Sequence, residues 1–568
     1  MDRRFAWAIM LIMVIALAPT FLFKRPPARN APADTAAAVP TAPTAQQPTV
    51  PAVPRDSGLV TRDSLASRDS GLATPNTQPA AQLVSVSAPL YTWQVSTRGA
   101  RLVSAELHDY RTLAKGDSGN AQLIRQGDGL FGMVLANGRD TIDFRDWTFT
   151  PSATALTVNG PTPLTLSAQR GNTSVQLTYT FHPDYQVDVA GTVTGVAPQG
   201  ASLLVSLGSG LHNAETDSAL NYRSYAIVTK SGGVDRTDFR SFDPGESKIL
   251  NGPFAWTAVK SMYFVASLFA VDSAGQSPRI SGVTATAPVM AGKNPSVVVT
   301  SAVMPVPASG TFSWTSYIGP MEYDRLTRLG HEFDDVNPYG WPGFRTLVRF
   351  FAVPVRWLLV QMHEQLNIAY GVVLVLFGIL VRLLLWPLNQ KAMRANMKMQ
   401  EIQPQLKAAQ ERYKEQPALL QQEMFRLYKE HGANPLSGCW PMLLPMPVLF
   451  ALFFVFQNAI ELRGQPFLWL PDLARPDPLY IIPVVMGLSM YVLSKVGQLG
   501  MEPNPQMKMM LYIMPVMMTV LFLNFASGLN LYYAVSNIAS IPQQWLLSRE
   551  RRKRVASAIV NVKTRSGK

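Results

Sequence analysis

The chain has 568 residues, 50 Lys+Arg against 37 Asp+Glu and a formal net charge of +13, yet only 15% of it is charged and 47% is hydrophobic. That mixture excludes a disordered chain and a simple soluble domain. With one cysteine, Cys439, neither an intrachain disulfide nor a Cys-based metal site can form, so any part outside the cytosol must be held by its own core.

Residues 5–23 are uncharged and almost wholly apolar behind Arg3 and Arg4. At about 1.5 Å per residue such a stretch crosses a hydrocarbon core of about 30 Å. Ala16 and Ala18 imitate a signal-peptidase site, but Pro19 would follow the cut and apolar residues continue to Phe23, so an uncleaved anchor over residues 1–25 is expected. Residues 26–82 turn to Ala, Pro, Thr, Gln and Ser without apolar periodicity, the composition of a disordered linker. The triplet Arg-Asp-Ser recurs there at Arg55, Arg62 and Arg68, a spacing too short for a solenoid and suited to an expanded tether.

Residues 83–320 read as short alternating strands bounded by Gly, Pro, Asn and Asp. Strands are expected at 173–181, 185–193, 203–207, 263–271, 296–303 and 311–318. In the second, Val187, Val189 and Val193 face one way and Asp188, Ala190 and Thr192 the other. The expectation is a large, all-β, antiparallel sandwich with enough core to stand without disulfides.

After Pro342 the pattern becomes helical. Residues 343–363 place Phe344, Leu347, Val348, Phe351, Val355, Leu358, Leu359 and Met362 among Arg345, Arg349 and Arg356, which predicts an amphipathic helix within 338–365, lying in a membrane interface with its arginines toward headgroups. The alternative is an ordinary surface helix of the sandwich. Spans are then expected at 370–388, 442–460, 479–496, 509–525 and 529–547, the last five of a six-span α-helical membrane protein whose core runs over 366–548. Between the first two of these, residues 389–437 carry eight basic residues, including Lys391, Arg394, Lys398 and Arg412, and the tail 549–568 opens with Arg549, Arg551, Arg552, Lys553 and Arg554. The loop 461–478 has only Arg463 and Arg475. By the bias of basic residues toward the cytosol, both termini and the 389–437 segment are cytosolic and residues 26–365 lie across the membrane. In a bacterium with two membranes that is an inner-membrane protein with a periplasmic sandwich. Pro404 and Pro417 divide the cytosolic segment into a helical hairpin.

No phosphate-binding glycine loop, His-Glu-x-x-His or Gly-x-Ser-x-Gly is present, and six histidines are scattered singly. An enzyme, a cofactor and a metal site are therefore not expected. The informative residue is Arg382, set deep in an apolar run. A guanidinium inside a bilayer costs about 2.5–3.5 kcal/mol on insertion scales and ordinarily faces a partner or water. Two readings stand. Arg382 is five residues from Trp386 and Pro387, within snorkelling reach of the cytosolic surface; or it faces inward, where, with no Asp or Glu inside the later spans, water must solvate it. Polar groups available to the same interior are Gln457, Asn458, Asn524, Tyr532, Tyr533, Ser536 and Asn537, each equally able to serve helix packing. Methionines, Met446 among them, suit adaptable apolar contact as well as lipid-facing filler.

The run Val381-Arg-Leu-Leu-Leu-Trp-Pro-Leu388, the segment Asn434-Pro-Leu-Ser-Gly-Cys-Trp-Pro441, Pro445-Met-Pro447 and Ser527-Gly-Leu-Asn-Leu-Tyr-Tyr-Ala-Val-Ser-Asn537 together resemble the YidC membrane-protein insertases. A weaker likeness extends into the sandwich through residues 254–266. The resemblance implies a groove open to cytosol and lipid, with Arg382 as its arginine and Tyr533 as an aromatic contact to the incoming chain. Tyr532, Asn537, Met446 and Gly378 complete the expected groove, although Gly378 stands where many relatives have a hydroxyl residue. It implies no cofactor, nascent membrane proteins as substrates, action alone or beside the Sec translocon, and contact with lipid. A ribosome partner is expected through 389–437 and 549–568, where basic charge attracts phosphate; anionic lipid accounts for the tail equally well. Two other classes compete. A solute transporter or channel with a periplasmic binding domain predicts repeated halves or broken helices, which the sequence lacks, and an anchored sugar-processing enzyme predicts clustered carboxylates and no need of five further spans.

Overall fold

The computed structural model describes residues 81–138, 140–196, 200–270, 279–289, 295–337, 339–340, 344–430, 446–500 and 505–566. The expected anchor and linker, and the motif around Cys439, lie outside them. Two units divide the chain, Met1–Ala80 and Ala81–Lys568, and the second holds everything described below.

Period-two patterning builds the first half. Among the described residues twenty strands form sheets of five, nine and six strands, and the coarse expectation of an all-β sandwich followed by a helical region holds. In the nine-stranded sheet, Thr173–Phe181 pairs with Gln186–Thr194, which pairs with Thr311–Pro320, which pairs with Phe264–Phe269, all antiparallel. Val175, Leu177, Tyr179 and Phe181 are buried and stand opposite Val193, Gly191, Val189 and Val187. The second expected strand begins one residue late because Tyr185 takes a left-handed conformation, φ 68°, in the turn before it. Gly191 is required by packing: a Cβ there would lie 2.4 Å from the Phe312 ring. Aromatic pairs fill the core, with Tyr91 stacked on Trp93 at 4.0 Å and Phe312 on Trp314 at 5.9 Å.

Eight longer helices follow among the described residues: α1 (Arg345–Leu366), α2 (Tyr370–Glu401), α3 (Gln403–Arg412), α4 (Pro417–Glu430), α5 (Met446–Asn458), α6 (Ile481–Gly497), α7 (Pro505–Phe522) and α8 (Ser527–Ser566). In α1, Val348, Ala352 and Leu359 are buried while Leu347, Phe350 and Trp357 are exposed, the one-sided pattern of an amphipathic helix. Its arginines depart from expectation. Arg349 donates to Asp334 at 2.5 Å and to Asp335 at 3.3 Å, and Arg356, 4% exposed, pairs with Glu461 and with Asp324 at 3.3 Å. They meet carboxylates rather than headgroups because Asp324, Asp334 and Asp335 upstream and Glu461 in the loop after α5 all fold against the helix.

Among the described residues one helix, Tyr370–Gln390 within α2, is long and apolar enough to cross a membrane; Val448–Asn458, Ile481–Gly497 and Leu511–Phe522 are shorter apolar helices. The 17 residues of α6 cover about 26 Å against a hydrocarbon core of about 30 Å. The expected last span is the first half of α8, which continues as one helix of 40 residues through the basic tail. There Arg551 donates to the Gly497 carbonyl at 2.9 Å, so part of the tail's charge caps α6. Apolar packing of Ile402, Leu406 and Ala409 with Leu427 joins α3 to α4.

Sandwich and helices are fastened by the loop after α5. Arg463, 9% exposed, donates to the Glu215 carboxylate at 2.7 Å and to the carbonyls of Arg111 and Ala214 at 2.9 and 2.8 Å, and lies 5.3 Å from the centre of the Phe264 ring. Burial pushes the Glu215 carboxyl from an ordinary 4.5 up to about 7, a rise that Arg463 only partly offsets; Asp472 adds to it and Arg475 opposes it. Removing one partner of a buried pair leaves the other uncompensated, so Arg463→Ala is expected to cost about 3–5 kcal/mol, read as a lowered thermal midpoint of the full chain. The folded state binds a proton on Glu215 between pH 4.5 and about 7 that the unfolded state has released, so this group's contribution to stability falls as pH rises through that window. Glu215→Gln is expected to flatten that slope in thermal unfolding followed from pH 5 to 8.

Candidate functional site

The candidate site forms where α2 and α8 pack together. Leu383 and Leu384 on α2 are 60% and 74% exposed, turned outward as lipid-facing residues are. Arg382 beside them is partly buried and points the other way, its Nε donating to Ser536 Oγ on α8 at 3.4 Å. Its side chain is thus directed toward α8 and away from the exposed leucines. Among the described residues Ser536 is its hydrogen-bond partner and it joins no ion pair.

Tyr532 sits one turn before Ser536 on α8, buried, with its ring 5.8 Å from Phe377 and 5.4 Å from Tyr533. Tyr533 turns toward α7, packing edge-on against Phe522 at 5.6 Å, and its buried hydroxyl has no hydrogen-bond partner among the described residues. Gly378, one turn before Arg382, allows α2 and α8 to approach: a Cβ there would lie 3.2 Å from the Val535 side chain and 3.6 Å from the Tyr532 ring. Arg382, Gly378, Tyr532 and Ser536 are thus brought together, with Tyr533 adjoining them.

Asn537 is not part of that group. It donates to Ser489 on α6 at 3.2 Å and serves the α6–α8 contact. Asn524 and Gln457 are exposed, and the side chain of Met446 lies outside the described residues. Sequence reading passed over Ser489 and also Gln543, whose amide donates to the Trp386 carbonyl at 2.9 Å and ties α8 to α2 where both carry a proline, Pro542 and Pro387. A signal for the second existed: Tyr532, Ser536, Ser540 and Gln543 recur at intervals of four, four and three, one polar stripe on an apolar helix.

The arrangement offers a fixed positive charge, two tyrosines and a serine, and no nucleophile paired with a base. Among the described residues no group of three His, Cys, Asp or Glu could hold a metal ion.

Residues 83–358 match the family described as YidC periplasmic domain and residues 361–554 the family described as 60Kd inner membrane protein. A protein of Chlorobium phaeovibrioides named membrane protein insertase YidC is 32% identical over 500 residues, covering 82% of this chain and 82% of that protein. The protein of the same name from Chloroherpeton thalassium is 32% identical over 499 residues, again covering 82% of each. A solved YidC insertase with its first transmembrane domain resolved is 17% identical, covers 82% of this chain and 93% of that one, and superposes with a TM-score of 0.33; the sequence relatives, not this likeness, carry the assignment. The chain belongs to the YidC family of membrane protein insertases.

Proposed function

We propose that this chain inserts newly made membrane proteins into the bilayer by admitting a short hydrophilic tail to a hydrated recess at Arg382. The observation that carries the mechanism is the Arg382–Ser536 contact between two apolar helices without a carboxylate to neutralise the guanidinium. A charge so placed is tolerable where water reaches it, and a wet, positive recess part-way into lipid shortens the dry path for a polar tail and attracts its acidic residues. Partition of the client's apolar segment then drives the step, Leu, Ile, Phe and Val each contributing about −0.3 to −0.6 kcal/mol at the centre of a span. No hydrolysis or cofactor enters this scheme.

Six spans complete the reading, the first at residues 5–23, with both termini cytosolic, the sandwich periplasmic and the protein in the bacterial inner membrane. Support comes from the basic-residue bias of the sequence and from the name of the family matched by residues 83–358. On this topology α3 and α4 stand at the cytosolic mouth, placed to meet a ribosome or nascent chain, and the Sec translocon is a partner in the membrane. The relatives' name favours insertion over solute flux.

Arg382→Ala is expected to lower insertion of a single-span client with an acidic tail by about tenfold, about 1.4 kcal/mol, and to spare a client with a neutral tail; protease protection in proteoliposomes reads both. Equal insertion of the acidic client by both proteins would remove the arginine from the mechanism. At Gly378, Ser is expected to fit with a shift of a few tenths of an ångström, whereas Gly378→Leu wedges α2 from α8 and, as overpacking does, costs about 1–3 kcal/mol, seen as a lower melting temperature together with reduced insertion of every client.

A further inference from the structure

The sandwich carries a cavity of about 470 Å³ on the outer face of its nine-stranded sheet, within the size range of small-molecule sites. Its floor is set by strand alternation: Thr178 and Thr180 from one strand, Asp188 and Ala190 from the next and Ser313 and Thr315 from the third all point away from the core. The far wall is Phe269 with His331, their rings 6.4 Å apart.

This wall is pinned. Trp256 Nε1 donates to the His331 carbonyl at 3.0 Å, and Lys230 pairs with Glu332 at 2.6 Å. Asp188 is held from two sides, by His182 Nε2 at 2.8 Å and by the Thr315 hydroxyl at 2.6 Å, while its side chain remains 50% exposed. Thr178, Thr180 and Ser313 make no side-chain hydrogen bond among the described residues. The cavity therefore presents uncommitted hydroxyls, an oriented carboxylate and one aromatic edge before any ligand arrives.

Chemistry selects the occupant. Among the described lining residues there is no Lys or Arg, so a phosphate or carboxylate ligand would meet Asp188 with only imidazoles, His331 in the wall and His182 on the carboxylate itself, to oppose the repulsion. The hydroxyl floor is wrong for an acyl chain, which leaves buried donors unpaired. A neutral polyol matches the polar lining: vicinal hydroxyls donate to the carboxylate and exchange hydrogen bonds with Thr and Ser, which both donate and accept.

We infer that this cavity binds a neutral saccharide of one or two rings, a ligand site separate from the insertion groove and independent of how insertion proceeds. Full-length protein in lipid nanodiscs is titrated calorimetrically with maltose and with chitobiose, and in parallel with inorganic phosphate and a neutral Gly-Ser peptide. Saturable binding of at least one disaccharide is expected. Ala190→Trp, which fills the floor from an exposed position, is expected to weaken it at least about tenfold, and Asp188→Asn to weaken it severalfold, each with an unchanged melting temperature. Absence of binding by both disaccharides, binding indifferent to both substitutions, or uptake of phosphate or peptide in their place would each overturn the assignment.

Discussion

Withdrawing water from a guanidinium is costly, and the fold answers that cost in two opposite ways. Arg463 and Arg356 are almost fully enclosed and both are paired: the first with Glu215 and two backbone carbonyls, the second with Glu461 and Asp324, its Nε without a partner among the described residues. Arg382 is set among apolar helices with one serine at 3.4 Å. Five donors and one long hydrogen bond leave most of its capacity unused. Buried pairs of the first kind fix one geometry; a lone cation of the second kind stays available to whatever water or chain comes to it. The architecture depends on the first pair and the proposed activity on the last.

Because Arg463 enters the sandwich from the loop after α5, the β and α halves are one compact unit rather than beads on a string. Length and composition alone point the other way, since the two halves differ so sharply in character. Glu461 and Arg463, two residues apart on one loop, hold α1 and the sandwich respectively.

Much of this was legible in the sequence where a periodicity had one physical solution. Val175, Leu177 and Tyr179 alternate with Gln176 and Thr178, and only a strand with one buried face accommodates that. Arg382 was conspicuous because charge in an apolar run has few explanations, although its contact with Ser536 was not legible, since snorkelling and inward facing differ by rotation of one side chain. The partners of Arg349 and Arg356 were hidden for another reason. An amphipathic helix looks alike whether its cations meet headgroups or carboxylates, and the carboxylates lie up to 105 residues away in sequence, at Glu461. Likewise the contact of Asn537 with Ser489 was hidden because its partner lies on another helix.

Prolines explain why the arginine sits at this level of α2. Pro387 has no N–H to give the carbonyl of Leu383, the residue after Arg382, so the helix carries a backbone acceptor without its usual donor within one residue of the cation. Four residues on, the Trp386 carbonyl is taken by Gln543 from α8, next to Pro542. Backbone polarity is thus released on α2 at Leu383, and a side chain of α8 meets a second carbonyl, that of Trp386, in the same short stretch where Ser536 meets Arg382. An apolar helix pair becomes locally polar there without a second charge among the described residues, which is what the proposed hydrated recess requires of the fold.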